Sequence, residues 1–364
     1  MLMDTSNLKH RLKKVRQKLK AEKIDAFLVT NPVNITYLTG FKGDDSWLLI
    51  TANSNILITD SRYTLQAKKE CALTKIYERK GKMIDAVCEI LKKNPNIDAA
   101  AVEDTIPLAT FKALKKQLPI RVKEAKNFIE SIRLIKDASE IEKIKQSAAI
   151  AENALNKVLP KIRIGMTEIE VAAIIDSEIK KHGAIPSFDT NVSFGPNSAM
   201  PHHRPDMTKL KKIDTILIDY GAKMDCYCSD ITRCFAVGKV DDFYAKVYKT
   251  VLEAQTSAIN ILKAGLEAFD ADEAAKEIIK KENLTPYGHG LGHGMGLEIH
   301  EAPAVSFMSR AKLQTGNVIS VEPGVYLDNK FGIRIEDDVL ITNTGCEILT
   351  TLLKSDEVPL LLKI

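Results

Sequence analysis

Apolar positions recur along this chain at two spacings, helical at first and then mixed. Leu8, Leu12, Val15 and Leu19 fall at helical intervals, with lysine and arginine on the other face. That spacing predicts an amphipathic helix over residues 8–23. Its basic side reads as a solvated helix face in preference to a nucleic-acid arm. Strand patterns follow at 26–30, 46–50 and 56–59, alternating with helical stretches at 62–70 and 81–93. Such alternation predicts a small α/β domain.

Residues 120–135 read as a strand and a short connection that cross into a second region. There Asp137 with Glu140, and Thr167 with Glu170, have the spacing of a capping box, an N-terminal signal for two helices. The second of these runs to His182-Gly183. Two more helices are predicted at about 241–264, ended by Gly265, and at about 270–282. With several mostly antiparallel strand signals between them, the second region is α+β. No tandem repeat is evident in the letters.

The stretch 215–235 concentrates the chemistry. Two β-branched runs flank a polar segment, which predicts a strand, a tight connection and a second strand. Asp219 ends the first run and Asp230 opens the second. A carboxylate at the end of a buried strand is costly unless something positive lies against it. Downstream, Gly288-His289-Gly290-Leu291-Gly292-His293-Gly294 precedes His300. Glu322 and Glu336 each interrupt an apolar strand pattern. One histidine with four carboxylates is an oxygen-rich donor set, suited to Mn²⁺ or Co²⁺ more than to a thiolate-bound zinc. Four carboxylates exceed the needs of one ion, so two divalent ions per chain, with Zn²⁺ as a further option, is the economical reading.

The order Asp219, Asp230, His293, Glu322, Glu336, set in Gly-His-Gly-x-Gly-His and Glu-Pro-Gly-x-Tyr, resembles the creatinase/aminopeptidase P/prolidase superfamily. The resemblance covers most of the chain. It implies a C-terminal pita-bread metallopeptidase domain at 131–364, preceded by a smaller α/β creatinase-like domain at 1–130. It implies an exopeptidase acting on Xaa-Pro bonds of proline-containing peptides through a hydroxide shared by the two ions. Asp219 would bind one ion through both oxygens, Asp230 and Glu336 would bridge, and His293 and Glu322 would complete the second site. Glu322 would also act as general base. His300, seven residues after His293, would donate to the scissile carbonyl oxygen or leaving nitrogen. His202, in Met200-Pro201-His202-His203, would contact substrate, although the doubled histidine leaves the register open by one position. Arg334 would orient and neutralise a carboxylate ligand. The family is often dimeric, so a homodimer is expected, with the Gly43-Asp44-Asp45 loop of one subunit near the other's site.

Prolidases need a cation for the free carboxylate of a dipeptide, and several similar sequences place an arginine just after the segment corresponding to His300-Glu301-Ala302-Pro303. Here Ala304 follows, and the nearest arginine is Arg310. Prolidase and aminopeptidase P therefore both stand. Two rivals are a creatinase-like C–N hydrolase without metal and an inactive binding module. The complete ligand set argues against each.

The glycines at 288, 290, 292, 294 and 296 are too regular for a helix or an ordinary strand and suggest a backbone pressed close to metal or substrate. They lack the Gly-Lys-Ser/Thr ending of a phosphate loop.

Composition changes this picture little. With 364 residues, two domains are the natural expectation. The 52 basic and 48 acidic side chains leave a net charge of +4, which argues for no nucleic-acid or membrane partner. No apolar leader opens the chain and no 18-residue apolar run occurs, so a cytoplasmic, non-membrane protein is expected. The six cysteines lack Cys-x-x-Cys spacing and read as reduced thiols. Cys226 and Cys228 are read as packing or surface residues and not as ligands.

Overall fold

The computed structural model describes residues 5–239, 241–352 and 354–362. The four residues that open the chain, read above for a leader, lie outside the described residues. The chain divides into two compact units, one ending at Arg133 and the other beginning at Leu134.

The first unit is α/β. Its six-stranded sheet runs in the order Lys75–Glu78, Asn55–Thr59, Ser46–Thr51, Ala26–Val29, Ala99–Glu103, Arg121–Ala125. Parallel and antiparallel pairs are mixed. The helix expected at 8–23 forms as Thr5–Ala21, burying Leu8, Leu12, Val15 and Leu19. A helix at Pro32–Thr39 had no periodic signal. Local chemistry specifies it: the Asn31 side chain accepts from the Val33 amide, Pro32 opens the first turn, and Gly40 ends it at φ 80°. The crossover also contains a short helix, Glu130–Arg133, where only a connection was expected.

The second unit is built twice over. Helices Ala138–Val158 and Glu168–Lys181 precede one sheet, and helices Asp242–Ile261 and Ala268–Lys281 precede another. The hinge of each pair is the same device. Gly165 at φ 89° donates to Leu210, and Gly265 at φ 88° donates to Leu313, each at 2.8 Å. Leu210 and Leu313 donate back to Met166 and Leu266 at 2.9 Å. No repeat shows in the letters, yet the two helix pairs share this backbone hinge and its glycine. Both expected capping boxes form, at Asp137–Glu140 and Thr167–Glu170. The second helix pair has no side-chain cap at Glu267. Thr167→Ala should therefore cost about 1 kcal/mol, read as a lower urea midpoint for the second unit.

The first sheet of this unit has the order Leu360–Leu362, Ile231–Val237, Asp214–Tyr220, Asn191–Phe194, and its two central strands pair antiparallel. Ile216 and Ile218 pack with Leu155 and Ile175 of the first helix pair. Leu217, between them, joins Val247, Val251 and Ile333 in the other core. Side chains alternate faces along a strand, so Asp219 follows Leu217. Thr232, its register partner, follows Cys234 and Ala236. The second sheet has the order Glu301–Val305, Gly292–Gly294, Val318–Val321, Asp337–Ile341, Cys346–Ile348. The connection between Asp219 and Asp230 is not the tight turn expected. Residues 221–230 fold into their own hairpin, Ala222–Met224 against Tyr227–Cys228, turning at Asp225 and Cys226 with φ 47° and 74°.

Candidate metal centre

Eight separate stretches of the second unit converge on one cavity of about 620 Å³. It is lined by Asp219, Asp230, His293, Glu322 and Glu336, and also by His202, His300 and Arg334. All eight residues singled out from the sequence face the same space. His203 does not line it. The His203 ring turns the other way and pairs through Nε2 with Glu168 at 2.8 Å.

The two glutamates do not lie inside strands, as their patterns suggested, but where strands end. Pro323 closes the Val318–Val321 strand immediately after Glu322. Glu336 occupies the break at which the chain stops pairing with Gly324–Leu327 and begins pairing with Val318–Val321. The Glu336 amide donates there to Thr232. Such breaks free a side chain to aim into the cavity. Asp219 and Asp230 sit at corresponding strand ends on the facing sheet, and His293 is central in Gly292–Gly294.

The glycine loop is such a strand, against expectation, and its glycines serve the sheet. A Cβ on Gly292 would lie 2.0 Å from the Ser320 carbonyl oxygen, and one on Gly294 would lie 2.1 Å from that of Ala302. The backbone at Gly292 and Gly294 is pressed against neighbouring strands, and Gly290 and Gly292 also line the cavity. Gly288 has open space around it.

Each donor is held by a specific partner. His293 Nδ1 lies 3.1 Å from the Gly294 carbonyl. That leaves Nε2 toward Glu322 at 3.5 Å and Asp230 at 3.7 Å. A backbone carbonyl on one ring nitrogen, freeing the other, is the usual arrangement of a ligating histidine. His289 has no such freedom, since its nitrogens meet the Gly290 carbonyl and the Tyr326 hydroxyl. Arg334 is buried and donates to Asp219 Oδ2 at 2.6 Å, to Thr232 at 3.1 Å and to Tyr326 at 3.0 Å. Thr232 in turn donates to Glu336 at 2.5 Å. Asp219 Oδ2 accepts from Arg334, while Oδ1 is buried without a hydrogen-bond partner.

Electrostatics show what the cluster suits. Burial pushes Asp230 well above the usual carboxylate range, and Glu336, Asp219 and Glu322 reinforce it. Glu336 is raised likewise, by burial first and then by Glu322 and Asp219. Burial lifts Glu322 to about 7, with Arg334 opposing and Asp219 adding. Burial, then His300 at a ring separation of 4.4 Å, pushes His293 down to about 4. Carboxylates that resist ionising, an unprotonated imidazole and an orphaned Asp219 oxygen together fit divalent cations.

A second acidic group, Glu168, His203 and Asp206, has suitable spacing for a metal. The Glu168 carboxylate already accepts from the amides of Phe194 and Asp206, from Asn197 and from His203. It is a hydrogen-bonded hub and needs no ion.

The sequence reading gave no role to Thr232, Tyr326 or Ser320. Thr232 links Arg334 to Glu336, and Ser320 donates to Glu322 at 3.3 Å. The alternation of Thr232 with Cys234 could have placed it on the Asp219 face. Tyr326 carried only its motif. Cys226 and Cys228 lie outside the cavity lining, and all six cysteines are free thiols.

Known proteins give the same picture. Residues 142–343 match the model of metallopeptidase family M24, and residues 11–135 match that of the creatinase/prolidase N-terminal domain. The chain is 35% identical to the Xaa-Pro dipeptidase of Pyrococcus furiosus, over 94% of this chain and 98% of that one. Among solved structures, an Xaa-Pro dipeptidase from Bacillus anthracis superposes with a TM-score of 0.93 at 36% identity, covering 97% of this chain and 100% of the other. An X-Pro aminopeptidase from Thermotoga maritima superposes with a TM-score of 0.89 at 40% identity, covering 94% and 99%.

Proposed function

The chain belongs to metallopeptidase family M24, and from that membership we propose that it is a metal-dependent exopeptidase hydrolysing Xaa-Pro peptide bonds. Its architecture is the α+β pita-bread domain preceded by a creatinase-like α/β domain. The observation that carries the proposal is the convergence of eight chemically matched side chains on one cavity.

Asp219, Asp230, His293, Glu322 and Glu336 would hold two divalent ions, Mn²⁺ or Co²⁺ in preference to Zn²⁺. Bound there, such ions supply Lewis acidity to a peptide carbonyl and acidify a water. The protein's own groups do the rest. Glu322, facing His293 across the cavity at 3.5 Å, can take and return a proton as general base. His300 and His202, both exposed on the cavity wall, can donate to the scissile carbonyl or the leaving nitrogen. Arg334 fixes Asp219 and, through Thr232, Glu336. No helix of the described residues is long and apolar enough to cross a membrane. A homodimer and a cytoplasmic setting are part of the same proposal.

The test uses protein treated with chelator and then supplied with Mn²⁺, Co²⁺ or Zn²⁺. Ala-Pro and Ala-Pro-Ala should show metal-dependent cleavage of at least one, while Ala-Ala-Ala stays intact. Equal cleavage of the control removes proline specificity. No cleavage with any metal overturns the peptidase reading and favours a binding module.

A further inference from the structure

We propose that Arg204 anchors the free C-terminal carboxylate of a dipeptide substrate, which makes the chain a dipeptidase. The inference rests on the reading of this cavity as an Xaa-Pro peptidase site.

The cavity is lined by five carboxylates, Asp189, Asp219, Asp230, Glu322 and Glu336, against two guanidinium groups, Arg204 and Arg334. Four of these carboxylates are the proposed metal ligands, so a substrate carboxylate needs a cation of its own that is not already committed. Arg334 is already committed to Asp219, Thr232 and Tyr326. Arg204 forms no hydrogen bond or ion pair among the described residues, although Asp189 shares the cavity with it. Arg310, the candidate suggested by sequence spacing, is elsewhere. It does not line the cavity, pairs with Glu267 at 3.5 Å and stacks over Phe269 at 3.9 Å.

Arg204 is exposed, but its backbone is fixed. Glu168 Oε2 accepts from the His203 ring at 2.8 Å and from the Asp206 amide at 3.1 Å, so the buried hub grips the chain on both sides of Arg204. Asn197 ties the preceding turn to the same carboxylate at 2.9 Å, and Ser198 accepts from the Gly332 amide at 2.7 Å. With His203 turned inward onto the hub, its two neighbours, His202 and Arg204, are the residues left to line the cavity. The doubled histidine and the following arginine thus form one unit: the middle residue anchors, and the flanking pair faces substrate. A planar guanidinium matches a carboxylate through two parallel hydrogen bonds, which an ammonium cannot reproduce.

The experiment compares Ala-Pro with its C-terminal amide at saturating Mn²⁺, for the wild type, Arg204→Gln, Arg204→Lys and Arg310→Gln. The wild type should prefer the free acid. Arg204→Gln should lose about 10- to 100-fold in kcat/KM on the acid, carried by KM, so that the preference falls toward one. Arg204→Lys should recover part of it, and Arg310→Gln should keep it. Equal melting temperatures would exclude a folding effect. A preference that survives in Arg204→Gln, or is lost in Arg310→Gln, overturns the assignment. So does a wild type that cleaves acid and amide alike. A wild type that cleaves neither with any metal shows instead that the underlying peptidase reading has failed.

Discussion

Replacing Glu322 with glutamine will lower kcat on a cleavable Xaa-Pro peptide by about 10²- to 10⁴-fold at saturating metal, the range for loss of a positioned general base. The two side chains have the same shape, so cavity volume and the 3.3 Å contact with Ser320 are nearly preserved. What disappears is the capacity to take a proton, together with one negative charge facing His293 at 3.5 Å. The lost charge weakens metal affinity, so activity must be read across a Mn²⁺ titration and compared at the plateau. A plateau within tenfold of wild type would remove Glu322 from the proton-transfer role and leave it a ligand only. The same substitution should stabilise the metal-free protein above pH 7. There a buried carboxylate raised to about 7 must ionise beside Asp219, and an amide need not. Loss of activity with gain of apo stability is the signature of a functional residue held in an unfavourable setting.

How much of this was readable from the letters depended on the range of the interaction. Capping boxes at Asp137–Glu140 and Thr167–Glu170 are closed within four residues, and both formed where the sequence placed them. The strand end at Asp219 was legible because a carboxylate after Thr215-Ile216-Leu217-Ile218 breaks an apolar run. The donor set was legible because each carboxylate breaks such a pattern in its own segment. Contacts closed across the fold left no local trace. Thr232 bonds Glu336 across 104 positions, whereas a carboxylate partner for Arg334 was expected from the family resemblance and is Asp219, 115 positions away. Nothing in the sequence announces that Ser320 and Ala302 press against Gly292 and Gly294. The duplicated helix pair went unseen for a related reason. What it conserves is the positive φ at Gly165 and Gly265 and the hydrogen bonds to Leu210 and Leu313, not the side chains between.

Stripped of metal, the protein will lose stability as pH rises from about 6.5 to 8, and Mn²⁺ will restore more at the upper end than at the lower. In the unfolded chain the carboxylates ionise in their ordinary range, near the usual 4.5 for a glutamate, and carry no protons across this window. In the folded protein Glu322 still holds a proton until about pH 7, and burial raises Asp230 and Glu336 in the same direction. The native state therefore binds more protons than the unfolded one, and stability falls with rising pH. Below about 6.5 the trend is masked. His289 and His293, both pushed down to about 4 chiefly by burial, stay neutral in the fold while the unfolded imidazoles take up protons near 6.5, which acts in the opposite sense. Above that value the unfolded imidazoles shed their remaining protons over about one pH unit, so their opposition fades and the acids set the trend toward the upper end. Ionising Glu322 across the window costs on the order of 1 kcal/mol, and Asp230 and Glu336 add in the same direction. A shift of that size is a fall of a few degrees in Tm for a unit of this size. Divalent ions bind only the ionised ligands, so they compete with the same protons and gain as these leave. Melting curves of chelated protein at pH 6.5, 7.25 and 8, with and without Mn²⁺, read both trends. A metal-free Tm that is flat or rising over this window would mean that the carboxylates are already ionised and balanced within the protein, leaving a metal no unmet charge to satisfy.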